Sequence, residues 1–130
     1  MRYPLGVYEK DSIRSRTGKK LEEINLDAVM KGRISSDDIK ISKETLKAQG
    51  QVARANDNLP MEKNFERAAE LVDVPDEVIL KMYDKLRPNR STKLELVMMA
   101  QELIEKYNAK NCARLVMEAV EVYEKRGVLL

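Results

Sequence analysis

Histidine is absent from this chain of 130 residues, and cysteine occurs once, as Cys112. Without imidazole there is no His general base, no Ser–His or Cys–His nucleophile pair and no zinc site built on histidine. A single cysteine makes neither an internal disulfide nor a CxxC metal or redox motif. The five glycines are scattered, so there is no GxGxxG nucleotide fingerprint. A phosphate loop around Gly18-Lys19-Lys20 would need its leading glycine where Ile13 stands and a Ser or Thr after the lysines. Long apolar runs are missing too. Stretches such as Leu96–Ala100 fall far short of the roughly 20 residues of a membrane span, and no charged start leads into an apolar signal core. An excess of one charge is also lacking: 24 Lys and Arg stand against 22 Asp and Glu, for a net +2. That balance gives little drive toward nucleic acid or anionic lipid. The composition predicts a soluble, cytoplasmic protein with no catalytic centre of its own.

What is present is helix-forming. Charged residues make up 35% of the chain, above the usual quarter. At 14.9 kDa the length fits one domain that buries about two thirds of its unfolded surface, enough for a core without disulfides or metals. Residues 1–20 stand apart. They carry Arg2, Lys10, Arg14, Arg16, Lys19 and Lys20 against Glu9 and Asp11, with Pro4, Gly6 and Gly18 and no helical period. They read as an extended N-terminal arm lying on a partner or on its own domain, with residues 21–130 as the helical domain. A basic arm can also meet nucleic acid, but this one has only Tyr3 and Tyr8 for base stacking.

Helix punctuation then repeats along the chain. Asn25 caps a helix over Leu26–Lys31 that closes at Gly32. Ser35 and Ser36 precede Asp37-Asp38, carboxylates suited to a helix start. Ser42 caps a helix to about Ala55, and Pro60 lies in the first turn of the next, with Phe65, Ala68, Ala69 and Val72 as its stripe. Pro75 opens a helix with Val78, Ile79, Met82, Tyr83 and Leu86 on one face, stopped by Arg87-Pro88. Thr92-x-x-Glu95 is a capping box opening a helix to about Tyr107, and the last helix runs from about Ala109 to Arg126 before Gly127. No stretch alternates like a strand, so the fold class is all-α, a small multi-helix domain.

At 100° per residue, Cys112, Leu115, Val116, Ala119, Val120, Val122 and Tyr123 cover about half of the last helix. The usual core stripe needs only about 100°. Leu96, Val97, Met99, Ala100, Leu103, Ile104 and Tyr107 share a face of the helix before it, with Leu94 and Met98 off that face. Either the helices pack on several sides within a bundle, or a partner covers the excess.

Three constellations invite a chemical reading. Asp37-Asp38, and Glu62 with Glu66 and Glu70, have metal-site residue types, but the alternating acids and central glycine of a calcium loop are missing. A helix start and a solvated helix face explain them better. Arg87-Pro88-Asn89-Arg90-Ser91-Thr92 puts two arginines beside a helix N-terminus, an anion site in one reading. In the other it is an inter-helix turn whose arginines cover helix C-terminal carbonyls or salt-bridge a partner, and the spacing favours that. Cys112, on an apolar face, reads as a small buried hydrophobe. No catalytic, cofactor-binding or metal-ligating residue is assigned.

From Tyr3 onward the chain resembles the small (gamma) subunit of coenzyme B12-dependent diol/glycerol dehydratase. The resemblance rests on an ordered set of runs. Tyr3-Pro4-Leu5 comes first, then Leu21-Glu22-Glu23-Ile24-Asn25-Leu26 and Gly32-Arg33. Ile41-Ser42-Lys43-Glu44-Thr45-Leu46-Lys47-Ala48-Gln49 and Asn64-Phe65-Glu66-Arg67-Ala68-Ala69-Glu70-Leu71 follow. Val74-Pro75-Asp76, Tyr83-Asp84-Lys85-Leu86-Arg87-Pro88, Arg90-Ser91-Thr92-Lys93, Tyr107-Asn108-Ala109-Lys110 and Cys112-Ala113 complete it. The resemblance implies a mainly helical subunit in a dimer of heterotrimers, packed mainly on a large β/α-barrel subunit that holds substrate and catalytic groups. It also implies adenosylcobalamin held by the holoenzyme between large and medium subunits, not by this chain, and radical conversion of a vicinal diol, propane-1,2-diol or glycerol, to an aldehyde and water. Some relatives that enter bacterial microcompartments carry a longer N-terminal extension; here the chain starts almost at Tyr3-Pro4-Leu5, so if the complex is encapsulated, the signal is expected on another subunit. The alternative from another class is a free-standing helical adaptor or interaction module.

Overall fold

A computed structural model describes all residues from Met1 to Leu130. Seven α-helices form: α1 (Leu5–Tyr8), α2 (Leu26–Met30), α3 (Lys43–Ala55), α4 (Leu59–Leu71), α5 (Asp76–Lys85), α6 (Lys93–Tyr107) and α7 (Lys110–Arg126). Two 3-10 turns, Leu21–Glu23 and Ser36–Ile39, complete the regular structure, and there is no β-strand. The all-α expectation holds.

The caps explain where the helices begin. Asn25 Oδ1 accepts the Ala28 N–H at 2.9 Å and opens α2. Ser42 Oγ accepts the Thr45 N–H at 3.1 Å and opens α3. Asn58 Oδ1 accepts from Met61 N–H ahead of α4, and Pro60 sits in that first turn, where a missing N–H costs nothing. Thr92 Oγ1 accepts the Glu95 N–H at 3.2 Å. The Glu95 carboxylate meets the Thr92 hydroxyl at 3.3 Å rather than the Thr92 N–H, so the expected capping box forms only its first half. Two left-handed residues close the last two helices, Asn108 at φ 52° and Gly127 at φ 69°. Asn and Gly are the residues that adopt this conformation at least cost. Two helix ends differ by one residue from the expected ones. Lys31 caps α2 rather than extending it, and Ala109, at ψ 68°, lies outside α7.

The chain divides into two compact units, Met1–Ala69 and Glu70–Leu130. In the first, the buried apolar residues are small: Ala28, Ala48, Ala53 and Ala69 with Leu46. α3 faces α4 at Gly50, where a Cβ would lie 3.4 Å from Phe65 Cβ, an ordinary contact distance. Residues 12–20 form a loop held by polar contacts. Arg14 bridges Lys20 and Ser15 bridges Ile41 in antiparallel fashion, Arg16 N–H donates to the Lys40 carbonyl at 2.8 Å, and Thr45 Oγ1 donates to the Arg14 carbonyl.

The second unit holds the larger core. Leu96, Met99, Ala100 and Leu103 of α6 meet Ala113, Val116 and Val120 of α7, with Met82 of α5 added. These α6 and α7 positions recur at the three- and four-residue steps that keep one helix face together. Ala109 is fully buried between the two helices. Burying each of Leu96 and Leu103, 1% and 2% exposed, contributes about 2–3 kcal/mol.

Candidate subunit-contact surface

The placement of the acidic groups decides between chemistry and architecture. Asp38 closes the Ser36–Ile39 turn. Its Oδ2 accepts from Ser35 N–H at 2.8 Å and from Ser35 Oγ, while Oδ1 accepts from the Thr17 hydroxyl at 2.6 Å. The Ser35 amide above all, then the Thr17 and Ser35 hydroxyls and the charge of Lys19, hold its carboxyl below the ordinary value of 3.8 against the opposing effect of burial. Asp37 pairs in solvent with Lys40 at 3.1 Å. Glu62 lies 3.7 Å from Arg54. No three His, Cys, Asp or Glu side chains are grouped as a metal site.

Glu70 departs from the solvated-face expectation. Its carboxylate accepts from the backbone N–H groups of Asn111 at 2.8 Å and Cys112 at 2.9 Å. The reason lies in the neighbouring turn. Asn108, the natural capping residue there, is spent in the left-handed closure of α6, which leaves Ala109 at the α7 N-cap with no side-chain acceptor. A carboxylate forty-one residues back satisfies two orphan donors and complements the helix dipole. Local pattern could not reveal this pairing; the one available sign was a missing Ser, Thr or Asp at position 109.

The Arg87–Thr92 stretch is a clamped corner. Arg87 and Arg90 both lie beside Asp84, at 3.8 and 3.6 Å. Ser91, 2% exposed, donates to the Lys85 carbonyl at 2.9 Å. Asn89 N–H donates to Val128 O, and Leu130 N–H donates to Ser91 O. Tyr123 Oη donates to the Leu86 carbonyl at 2.5 Å. The turn reading is the one observed. Cys112 is buried, as its face required.

The remaining feature is uncovered apolar surface. In the first unit Tyr3, Val7, Leu26, Met30, Ile39 and Leu59 are each more than half exposed. An open groove of about 530 Å³ in this unit is lined by Tyr3 and Leu5, by Val52 and Ala53 of α3, and by Met61 and Phe65 of α4. In the second unit α5 exposes Leu80 and Tyr83, the latter at 73%, although Tyr83 belonged to the expected core face. Its ring takes the outer edge of that face while Met82 takes the core. Leu94 and Met98 lie uncovered on α6, opposite its buried stripe, and Leu115 and Val122 on α7, seven residues apart on one line. Large apolar side chains left exposed in this number are candidates for a contact surface. No helix is long and apolar enough to cross a membrane.

The family model described as dehydratase small subunit matches residues 1–130. The chain belongs to that family. It is 42% identical over 129 residues to the propanediol dehydratase small subunit of Citrobacter freundii, covering 98% of this chain and 74% of that protein. Against the propanediol dehydratase small subunit of Salmonella typhimurium LT2 the identity is again 42%, over 98% of this chain and 73% of the relative. As a dehydratase small subunit this chain is part of a hydro-lyase of the diol dehydratase kind, and it has partner subunits.

Proposed function

We propose that this chain is the non-catalytic small subunit of an adenosylcobalamin-dependent propane-1,2-diol or glycerol dehydratase. The observation that carries the reading is the match along the whole chain to propanediol dehydratase small subunits. The reaction removes water from a vicinal diol to give an aldehyde, by a radical route that the bound coenzyme starts. This chain's own residues do not fit that coenzyme. Two of its grooves, about 610 and 530 Å³, are open depressions. They lie in the range that suits a drug-sized ligand, not a corrinoid with its nucleotide arm. No step of the chemistry is therefore assigned here, and coenzyme and substrate belong to the large and medium subunits in a dimer of heterotrimers.

The role left to this chain is docking, mainly on the large subunit. Residues 1–20, the Arg87–Arg90 corner and the outer faces of α6 and α7 are the segments assigned to that contact. Supporting this, Tyr3 and Val7 are 70% and 66% exposed, as large apolar side chains are when they await a partner. The test is a tagged pull-down from native cells grown on a diol or glycerol, read by gel, mass spectrometry and a cobalamin absorbance scan. Two larger chains in equal amount, with B12-dependent aldehyde formation, are expected. A lone monomer under conditions where the dehydratase is expressed would overturn the proposal in favour of a free-standing adaptor.

A further inference from the structure

The groove of about 610 Å³ between α5 and α6 has walls of opposite charge. Lys81 and Lys85, one turn apart, line the α5 side. Glu95, Glu102 and Glu105 line the α6 side, where Lys106 is the one cation. Val78, Met82, Met98 and Met99 supply its apolar lining.

The two walls do not close on each other. Lys81, Lys85, Glu102 and Glu105 each make no ion pair, whereas the nearby Asp84 draws in two arginines and Lys93 reaches Glu124 at 3.1 Å. Glu95 is engaged by the Thr92 hydroxyl, and Lys106 lies over the Tyr107 ring. Lysine and glutamate are long enough to pair across a narrow cleft. Walls of opposite sign that stay open over an apolar floor are the form of a helix-in-groove site, in which an apolar edge enters the floor and flanking charges meet the walls.

We propose that the α5–α6 groove seats an amphipathic segment of a partner dehydratase subunit, with its carboxylates toward Lys81 and Lys85 and its basic groups toward Glu102 and Glu105. This rests on the subunit reading above. It adds a polarised site that fixes the direction in which the partner's segment lies, because a segment placed in reverse would meet like charges on both walls.

The test uses the chain co-expressed with its large and medium subunits, with the tag on the large one. Small chain retained per large chain is measured at about 0.1 M and about 1 M salt. Lys81→Glu/Lys85→Glu and Glu102→Lys/Glu105→Lys should each lower retention at low salt by at least about tenfold. The fourfold variant, which swaps the walls and keeps the net charge, should lose retention equally. All three should keep the helical circular dichroism of the parent. Folded wall-reversed chains retained like the parent would overturn the groove proposal while leaving the subunit reading intact. A parent chain that the large and medium subunits do not retain would overturn the subunit reading, and the groove's occupant with it.

Discussion

Glu70→Ala removes the only side-chain acceptor at the start of α7. Two backbone donors, Asn111 N–H and Cys112 N–H, lose partners now at 2.8 and 2.9 Å. Loss of a capping side chain costs about 1 kcal/mol, and loss of a carboxylate at the positive end of a helix costs about a further 0.3–1 kcal/mol. Water restores part of the bonding, because Asn111 is half-buried rather than sealed. The expected destabilisation is about 1.5 kcal/mol. At about 2.1 cal/mol/K of unfolding entropy per residue, that lowers the melting midpoint by about 5 °C. Glu70→Gln keeps one acceptor and loses the charge, so about half the effect should remain. Urea titration followed by far-UV circular dichroism gives both values through the shift in midpoint at constant slope. A Glu70→Ala change below about 0.5 kcal/mol, or equal effects for Ala and Gln, would refute the assignment of Glu70 as the α7 cap.

Three further outcomes follow from the same physical reasoning. Leu103→Ala should cost about 2–5 kcal/mol in the same titration, because Leu103 is 2% exposed in the α6–α7 core; a smaller loss would mean that this core collapses around the vacancy. Asp38 has a lowered folded pKa, so its stabilising contribution is full above the ordinary carboxylate value and fades as pH falls through and below 3.8 toward the folded value. Asp38→Asn should flatten that acid limb in a pH series of unfolding midpoints, and an unchanged limb would remove Asp38 as its cause. Arg87→Ala/Arg90→Ala should change the isolated chain's stability by less than about 1 kcal/mol, since both arginines and Asp84 are exposed, yet weaken retention by the large subunit. Unchanged assembly and activity would take the corner out of the interface.

The sequence made most of the helix map legible because its signals are local. Asn25, Ser42 and Thr92 cap as their residue types require, and Gly127 closes α7. The α6 stripe of Leu96, Met99, Ala100 and Leu103 was readable from a period of three and four residues. Angle alone could not say which half of a wide apolar face is buried. Val116 and Val120 enter the core while Leu115 and Val122 stay exposed, and that choice depends on where the α6 hairpin partner lies. Contacts across long separations were equally hidden: Glu70 with the α7 start, Thr17 with Asp38. The family was legible in its ordered runs, but the opposed walls of the α5–α6 groove needed both helices in place before their charges could be seen to face each other.

The central claim is that this chain works as a structural subunit of a diol dehydratase. The most direct measurement is reconstitution: large and medium subunits purified with and without this chain, given adenosylcobalamin and propane-1,2-diol or glycerol, and assayed for aldehyde. The account predicts that the three chains co-elute in equal amounts, that omitting this one depresses activity, and that adding it back restores it. Full activity and an unchanged complex without it, with this chain eluting alone, would contradict the account.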